Sequence, residues 1–119
     1  MDNVTTFETS VKLQGKGFPQ PDFKFGQLWY ETERQDFAIV GTAKFELFKQ
    51  HRNGSLVFAP TPADILLELP DKVLFWKVGN TFVCGVQMES KEGRGVIEFE
   101  AIFKHENPSE ACALAFMDK

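Results

Sequence analysis

Residues 73–86 read VLFWKVGNTFVCGV, and the fold turns on how they pair. Two apolar runs flank Gly79-Asn80, a dipeptide suited to a two-residue hairpin turn. Pairing Val78 with Thr81 sets Trp76 opposite Val83 and Leu74 opposite Gly85. The reverse face then carries Val73, Phe75, Phe82, Cys84 and Val86. Both faces are apolar, whereas an antiparallel ribbon wetted on one side alternates apolar with polar. One face must line a core, and the other must be covered by a helix or by a partner.

Downstream, ESKEGRG (89–95) reads as a polar turn and VIEFEAIFK (96–104) as the last strand. Its alternation places Ile97, Phe99, Ala101 and Phe103 on one face, with Glu98 and Glu100 on the other. Asn107-Pro108-Ser109-Glu110 is a helix start, with a cap, a first-position proline and an acid three residues after the cap. The following ACALAFM is short, apolar and small-residued. It suits close packing over a sheet and offers a cover for the second face of the Trp76 hairpin.

Upstream, Phe7, Thr9, Val11 and Leu13 alternate and read as a first strand. GKGFPQPDFKFG (15–26) is too rich in glycine and proline for a regular element. Leu28 to Thr32 and Phe37 to Val40 read as short strands. Phe45 and Leu47 continue the pattern, with Lys44 and Glu46 pointing the other way. HRNG (51–54) reads as a turn, after which Leu56 and Phe58 resume the apolar face. In TPADILLELP (61–70), Thr61, Pro62 and Asp64 are helix-start residues, yet Ile65, Leu67 and Leu69 alternate and Pro70 leaves little room. A strand after a tight turn is the favoured reading. The sum is a mainly β chain, a small antiparallel barrel or sandwich of about seven strands closed by a C-terminal helix.

Composition agrees with one domain over residues 1–119, large enough to fold without staples. Hydrophobic residues make up 43% and charged residues 25%. The 13 Phe, against one Tyr and two Trp, supply apolar area without polar atoms to satisfy. The net charge of −4 arises in the second half, since residues 1–60 hold seven acids and seven bases and residues 61–119 hold ten and six. Neither half has the basic footprint that a phosphate backbone demands, so nucleic acid is not an expected partner. The start MDNVTTFETS lacks a basic region and an apolar stretch, and no run approaches a membrane span, so a cytoplasmic protein is expected.

A run of antiparallel strands closed by one helix resembles the pleckstrin-homology-like superfold, which includes phosphotyrosine-binding domains and the third lobe of FERM domains. The residues that carry the likeness are Val73 and Trp76, then Phe82-Val83 after the turn, then Phe99 to Phe103 leading into helix 108–117. It spans residues 56–117 and rests on element order and a few apolar positions. The resemblance implies binding without catalysis. Its two routes are a peptide added as a strand between the last sheet edge and the helix, and a lipid headgroup held among the loops at an open barrel end. The basic cluster that marks phosphoinositide binding is not evident, since Asp22 sits among Lys12, Lys16 and Lys24.

Chemistry-bearing constellations are thin. His51 and His105 lack ligand-spaced neighbours, so neither a metal nor another cofactor is expected. Cys84 and Cys112 have no CxxC spacing and read as reduced thiols packed as small hydrophobes. No GxSxG elbow is present, and GKG (15–17) lacks the GK[ST] of a phosphate loop. Glu98 and Glu100 read as a solvated outer face rather than an acid/base pair. The 15–26 loop is the more informative stretch, with Phe18, Phe23 and Phe25 followed by Trp29 and Tyr30. These aromatics either fold back to plug one end of the core or form a docking loop. The expectation is therefore a protein-interaction module, a scaffold or adaptor domain, binding a protein or peptide through Phe18, Phe23, Phe25, Trp29 and Trp76. The alternative is a small barrel that carries an apolar ligand or lipid in a Phe-lined interior.

Overall fold

The computed structural model describes residues 4–50, 56–69, 72–87 and 99–118. Among them the chain runs α1 (Phe7–Gly15), β1 (Leu28–Glu31), β2 (Asp36–Ile39), α2 (Ala43–Gln50), β3 (Leu56–Ala59), α3 (Pro62–Leu66), β4 (Val73–Val78), β5 (Thr81–Gln87), β6 (Phe99–His105) and α4 (Pro108–Met117). The strands form two antiparallel three-stranded sheets, ordered β2-β1-β3 and β4-β5-β6. The mainly β barrel or sandwich of about seven strands is thus corrected to a small mixed fold of six described strands, with no closed barrel among them. The antiparallel strands and the C-terminal helix stand as expected. The turns read at 51–54 and 89–95 lie outside the described residues.

Three segments read as strands are helices, and local capping chemistry decides each. The Thr6 hydroxyl accepts from the Thr9 amide at 3.3 Å and starts α1. Ser10 and Leu13, three residues apart, are its buried positions, while Val11 of the supposed apolar row is 40% exposed. At α2 the Thr42 hydroxyl accepts from the Phe45 amide at 3.3 Å, and the Thr42 carbonyl accepts from Glu46 at 3.2 Å. Phe45 is buried and Leu47 exposed, so the 45/47 alternation is no shared face. Thr61 and Asp64 form a reciprocal capping box over Pro62 and start α3. Leu67, the middle of the Ile65/Leu67/Leu69 row, is 83% exposed, while Ile65 of α3 and Leu69 in the turn beyond it are buried.

The second sheet follows the sequence closely. Val78 pairs with Thr81, Trp76 with Val83 and Leu74 with Gly85. Gly79 at φ 60 followed by Asn80 outside the positive-φ region fits a type II′ turn, which wants glycine first. The last strand departs from simple alternation. Val86 pairs with Ala101 but Gln87 pairs with Phe99, so Glu100 is an extra residue on β6. This bulge turns Phe99 away from the side of Ala101 and Phe103, correcting the expectation that it shares their face, and Ile97, expected on the same face, lies outside the described residues. Its ring crosses Trp76 at 5.4 Å above Gly85.

Helix α4 covers one face of that sheet. Asn107 caps it by accepting from the Ser109 and Glu110 amides at 2.9 and 3.4 Å. Ala111, Cys112, Ala113 and Ala115 are buried, and such small side chains allow close approach to the Phe75/Phe82/Cys84 side of the sheet. α1 and α3 pack against α4 in turn, so one hydrophobic cluster runs from Trp29 and Phe58 of the first sheet to Cys84 of the second.

The first sheet is largely buried on both sides along β1 and β3, while Phe37 of β2 is 40% exposed. Trp29, Ala38 and Phe58 share one face and enter the core cluster. On the opposite face Leu28, Val57 and Ala59 are buried, and Tyr30 meets Phe7 of α1 edge-on at 5.7 Å. Beside β3, the Gln20 side chain accepts from the Phe58 amide at 2.9 Å and occupies an edge group.

Candidate functional site

Of the five aromatics expected to bind a partner, four gather on the 15–26 loop and first sheet and Trp76 stands apart. Phe18 is buried with its ring edge-on to Phe116 at 5.1 Å. Trp29 is only 4% exposed, and its indole N–H donates to Gln27 Oε1 at 3.1 Å. Phe23 stands edge-on to Trp29 at 4.8 Å and to Phe45 at 5.0 Å, keeping part of its ring in solvent. The 15–26 loop therefore folds back onto the first sheet. Phe25, at 89% exposure, is its outlying ring and lies over Gly41. Trp76 belongs to neither cluster and sits half-buried on the second sheet.

Around Trp76 the outer face of the second sheet is apolar and open. Register places Leu74, Trp76 and Val78 of β4 beside Thr81, Val83 and Gly85 of β5, and Ile102 and Lys104 of β6 beyond them. Val78 is 62% and Ile102 49% exposed, while Val83 between them is buried under its neighbours. Trp76, Val78, Thr81, Val83, Ile102 and Lys104 line an open groove of about 340 Å³. Gly85 is what lets the rings lie flat here. A β-carbon at that position would stand 2.7 Å from the Phe99 ring and 3.1 Å from Trp76. Ile102 and Lys104 escaped the sequence reading. The signal was present, because both lie opposite Gly85 and Val83 once the last strand is registered.

A second concavity, of about 360 Å³, is lined by Val4, Thr5, Thr6, Tyr30, His105, Glu106 and Asn107. Most of its polar atoms are turned on one another. Tyr30 Oη donates to the Thr5 carbonyl at 2.8 Å, Asn107 Nδ2 to the Val4 carbonyl at 3.0 Å, and the Asn107 amide to His105 Nδ1 at 2.9 Å. Behind this wall, Glu110 Oε1 accepts from Thr6 and Thr9 hydroxyls at 3.1 and 2.8 Å. Its Oε2 is buried without a hydrogen-bond partner. Burial first, and then the Glu110 charge, raise the Tyr30 hydroxyl above its ordinary value.

Cys84 on β5 and Cys112 on α4 are free, fully buried thiols that face each other across the helix-sheet contact. Hydrogen bonding to Cys84 and burial push Cys112 far above the usual thiol range, which leaves it protonated and a poor nucleophile. Among the described residues, no three His, Cys, Asp or Glu side chains converge as metal ligands. Among the same residues, no helix is long and apolar enough to cross a membrane. No family model, curated protein or solved structure matches this chain.

Proposed function

We propose that this chain is a non-catalytic protein-interaction module, of scaffold or adaptor type, whose partner docks on the open face of the second sheet. The observation that carries the reading is the unequal cover of that sheet. α4 packs on the Phe75/Cys84 side, while Trp76, Val78 and Ile102 remain at the surface on the other. A partly buried Trp amid exposed aliphatic neighbours over a glycine is the composition of an interface anchor. The order hairpin, last strand, helix, on which the pleckstrin-homology-like resemblance rests, adds a further reason to read it as a binding domain. The cytosol is the proposed compartment, which two unpaired thiols suit.

The carrier reading is the weaker alternative. Neither described concavity is lined by Phe, and the buried Phe18, Phe45, Phe58 and Phe116 pack into the core. Catalysis has little to work with, because the polar cleft spends most of its donors internally. The test is capture of interacting proteins with the wild type, a Trp76→Ser/Ile102→Ser variant and a Phe25→Ser variant, each shown to be folded. Any partner is then purified and its affinity measured. Binding lost only in the Trp76/Ile102 variant supports the reading. Loss only in Phe25→Ser moves the site to the 15–26 loop. A lipid or metabolite that co-purifies in native mass spectrometry, with no protein bound, overturns the module in favour of a carrier.

A further inference from the structure

The groove beside Trp76 has a chemical polarity that narrows its occupant, given the docking face proposed above. Lys104 is its one charged lining residue. Lys104 pairs across from Val83 and follows Ile102 by two residues on the same side of β6, and none of the described carboxylates pairs with it. The chain as a whole is acidic, with net charge −4, and exposed Glu100 stands on this side of β6 outside the groove, so the cation is a local feature of the groove lining. An apolar depression ended by an ammonium that no described carboxylate neutralises complements a bulky apolar side chain followed by a carboxylate.

We infer that the open face of the second sheet binds a partner protein through a short acidic-apolar segment. One large aliphatic or aromatic side chain enters the groove between Trp76 and Ile102, and an Asp or Glu beside it pairs with Lys104. The groove volume of about 340 Å³ accommodates one or two side chains rather than a folded surface. It falls at the small end of the roughly 300–1,000 Å³ typical of ligand pockets. A second copy of this chain is the poorer complement, since it brings the same lysine and another net charge of −4. An anionic membrane would meet one lysine here, whereas surface attraction to lipid draws on clusters of about four to eight basic residues.

The test is a random-peptide display library panned on the intact chain, with selected peptides resynthesised and titrated against purified variants. Enrichment of a bulky apolar residue next to Asp or Glu is expected. Lys104→Glu should weaken those peptides by about fivefold to tenfold, through lost attraction and new repulsion at a surface site. Lys104→Arg should retain them, and affinity should fall with added salt. Peptides that need Trp76 but show no acidic preference and ignore Lys104→Glu overturn this inference while leaving the docking face in place. Peptides indifferent to Trp76→Ser overturn both. Failure to enrich any peptide contradicts the inference. So does a concentration-dependent dimer abolished by Trp76→Ser, or binding to phosphatidylserine vesicles through this face.

Discussion

The two sheets are built alike and finished differently. Each has three antiparallel strands and one tryptophan, Trp29 on the central strand β1 of the first and Trp76 on the edge strand β4 of the second. In the first sheet Trp29 on the central strand is enclosed by Phe23 and Phe58 and its N–H has a partner in Gln27, while on the other face Phe37 of the β2 edge is 40% exposed. In the second sheet α4 covers one face, while Trp76 has Phe99 across a glycine and solvent beyond. The same residue type serves the core in one sheet and leaves a surface in the other. What differs is whether a neighbouring element has been built to cover it.

The widest gap should appear in stability. Trp29→Ala removes a buried ring and should cost about 3–5 kcal/mol, a large share of the roughly 5–15 kcal/mol of a small domain. Trp76→Ala should cost about 1 kcal/mol, near the value of one aromatic pair. Urea unfolding of both variants reads the difference, and equal losses would erase the distinction between the sheets. Gly85→Ala should come next, at about 1–3 kcal/mol, because its methyl group displaces the Phe99 ring. If it unfolds at the wild-type midpoint, the crossing of Trp76 and Phe99 is not a fixed feature. Val78→Ser and Ile102→Ser should stay within about 0.5 kcal/mol, as exposed positions do. A larger loss would mean that this face is covered within the chain.

The smallest expected effect lies where the first sheet meets α1 and α4. Tyr30 is the single tyrosine, so phenolate absorbance reports it alone. Its midpoint should lie above the ordinary 10.0, chiefly from burial. Glu110→Gln should lower the midpoint without restoring it fully, since it removes the lesser cause. Because the folded state holds this proton more tightly, the associated stability is complete below pH 10.0 and fades as pH rises through the folded value. A midpoint at or below 10.0 would show that the hydroxyl is not enclosed as described.

The same contrast explains what the sequence made legible. The β4-β5 register was readable because Gly79-Asn80 leaves one plausible pairing, and helix α4 was readable because Asn107, Pro108 and Glu110 give three coincident signals. The early helices were not. Phe7, Thr9, Val11 and Leu13 alternate by chance, and the deciding feature was the Thr6 cap followed by buried Ser10, a polar residue that periodicity counts as exposed. Ser10 is satisfied there by the Thr6 carbonyl and by Thr5 Oγ1, at 2.7 and 2.6 Å. At TPADILLELP the capping box outweighed a three-residue alternation. The Glu100 bulge was hidden because an inserted residue reverses alternation without any change in composition. For the site, Trp76 was visible as an aromatic with an apolar face to fill. Phe18 and Trp29 shared that description, and only the tertiary cover separates them.

The most direct measurement is the dissociation constant of a purified partner, identified by capture, for wild type and for folded Trp76→Ser/Ile102→Ser. The account predicts a weakening of about 30-fold or more, as expected when an anchoring tryptophan is lost. An unchanged constant would contradict it, because the open face of the second sheet would then have no part in binding.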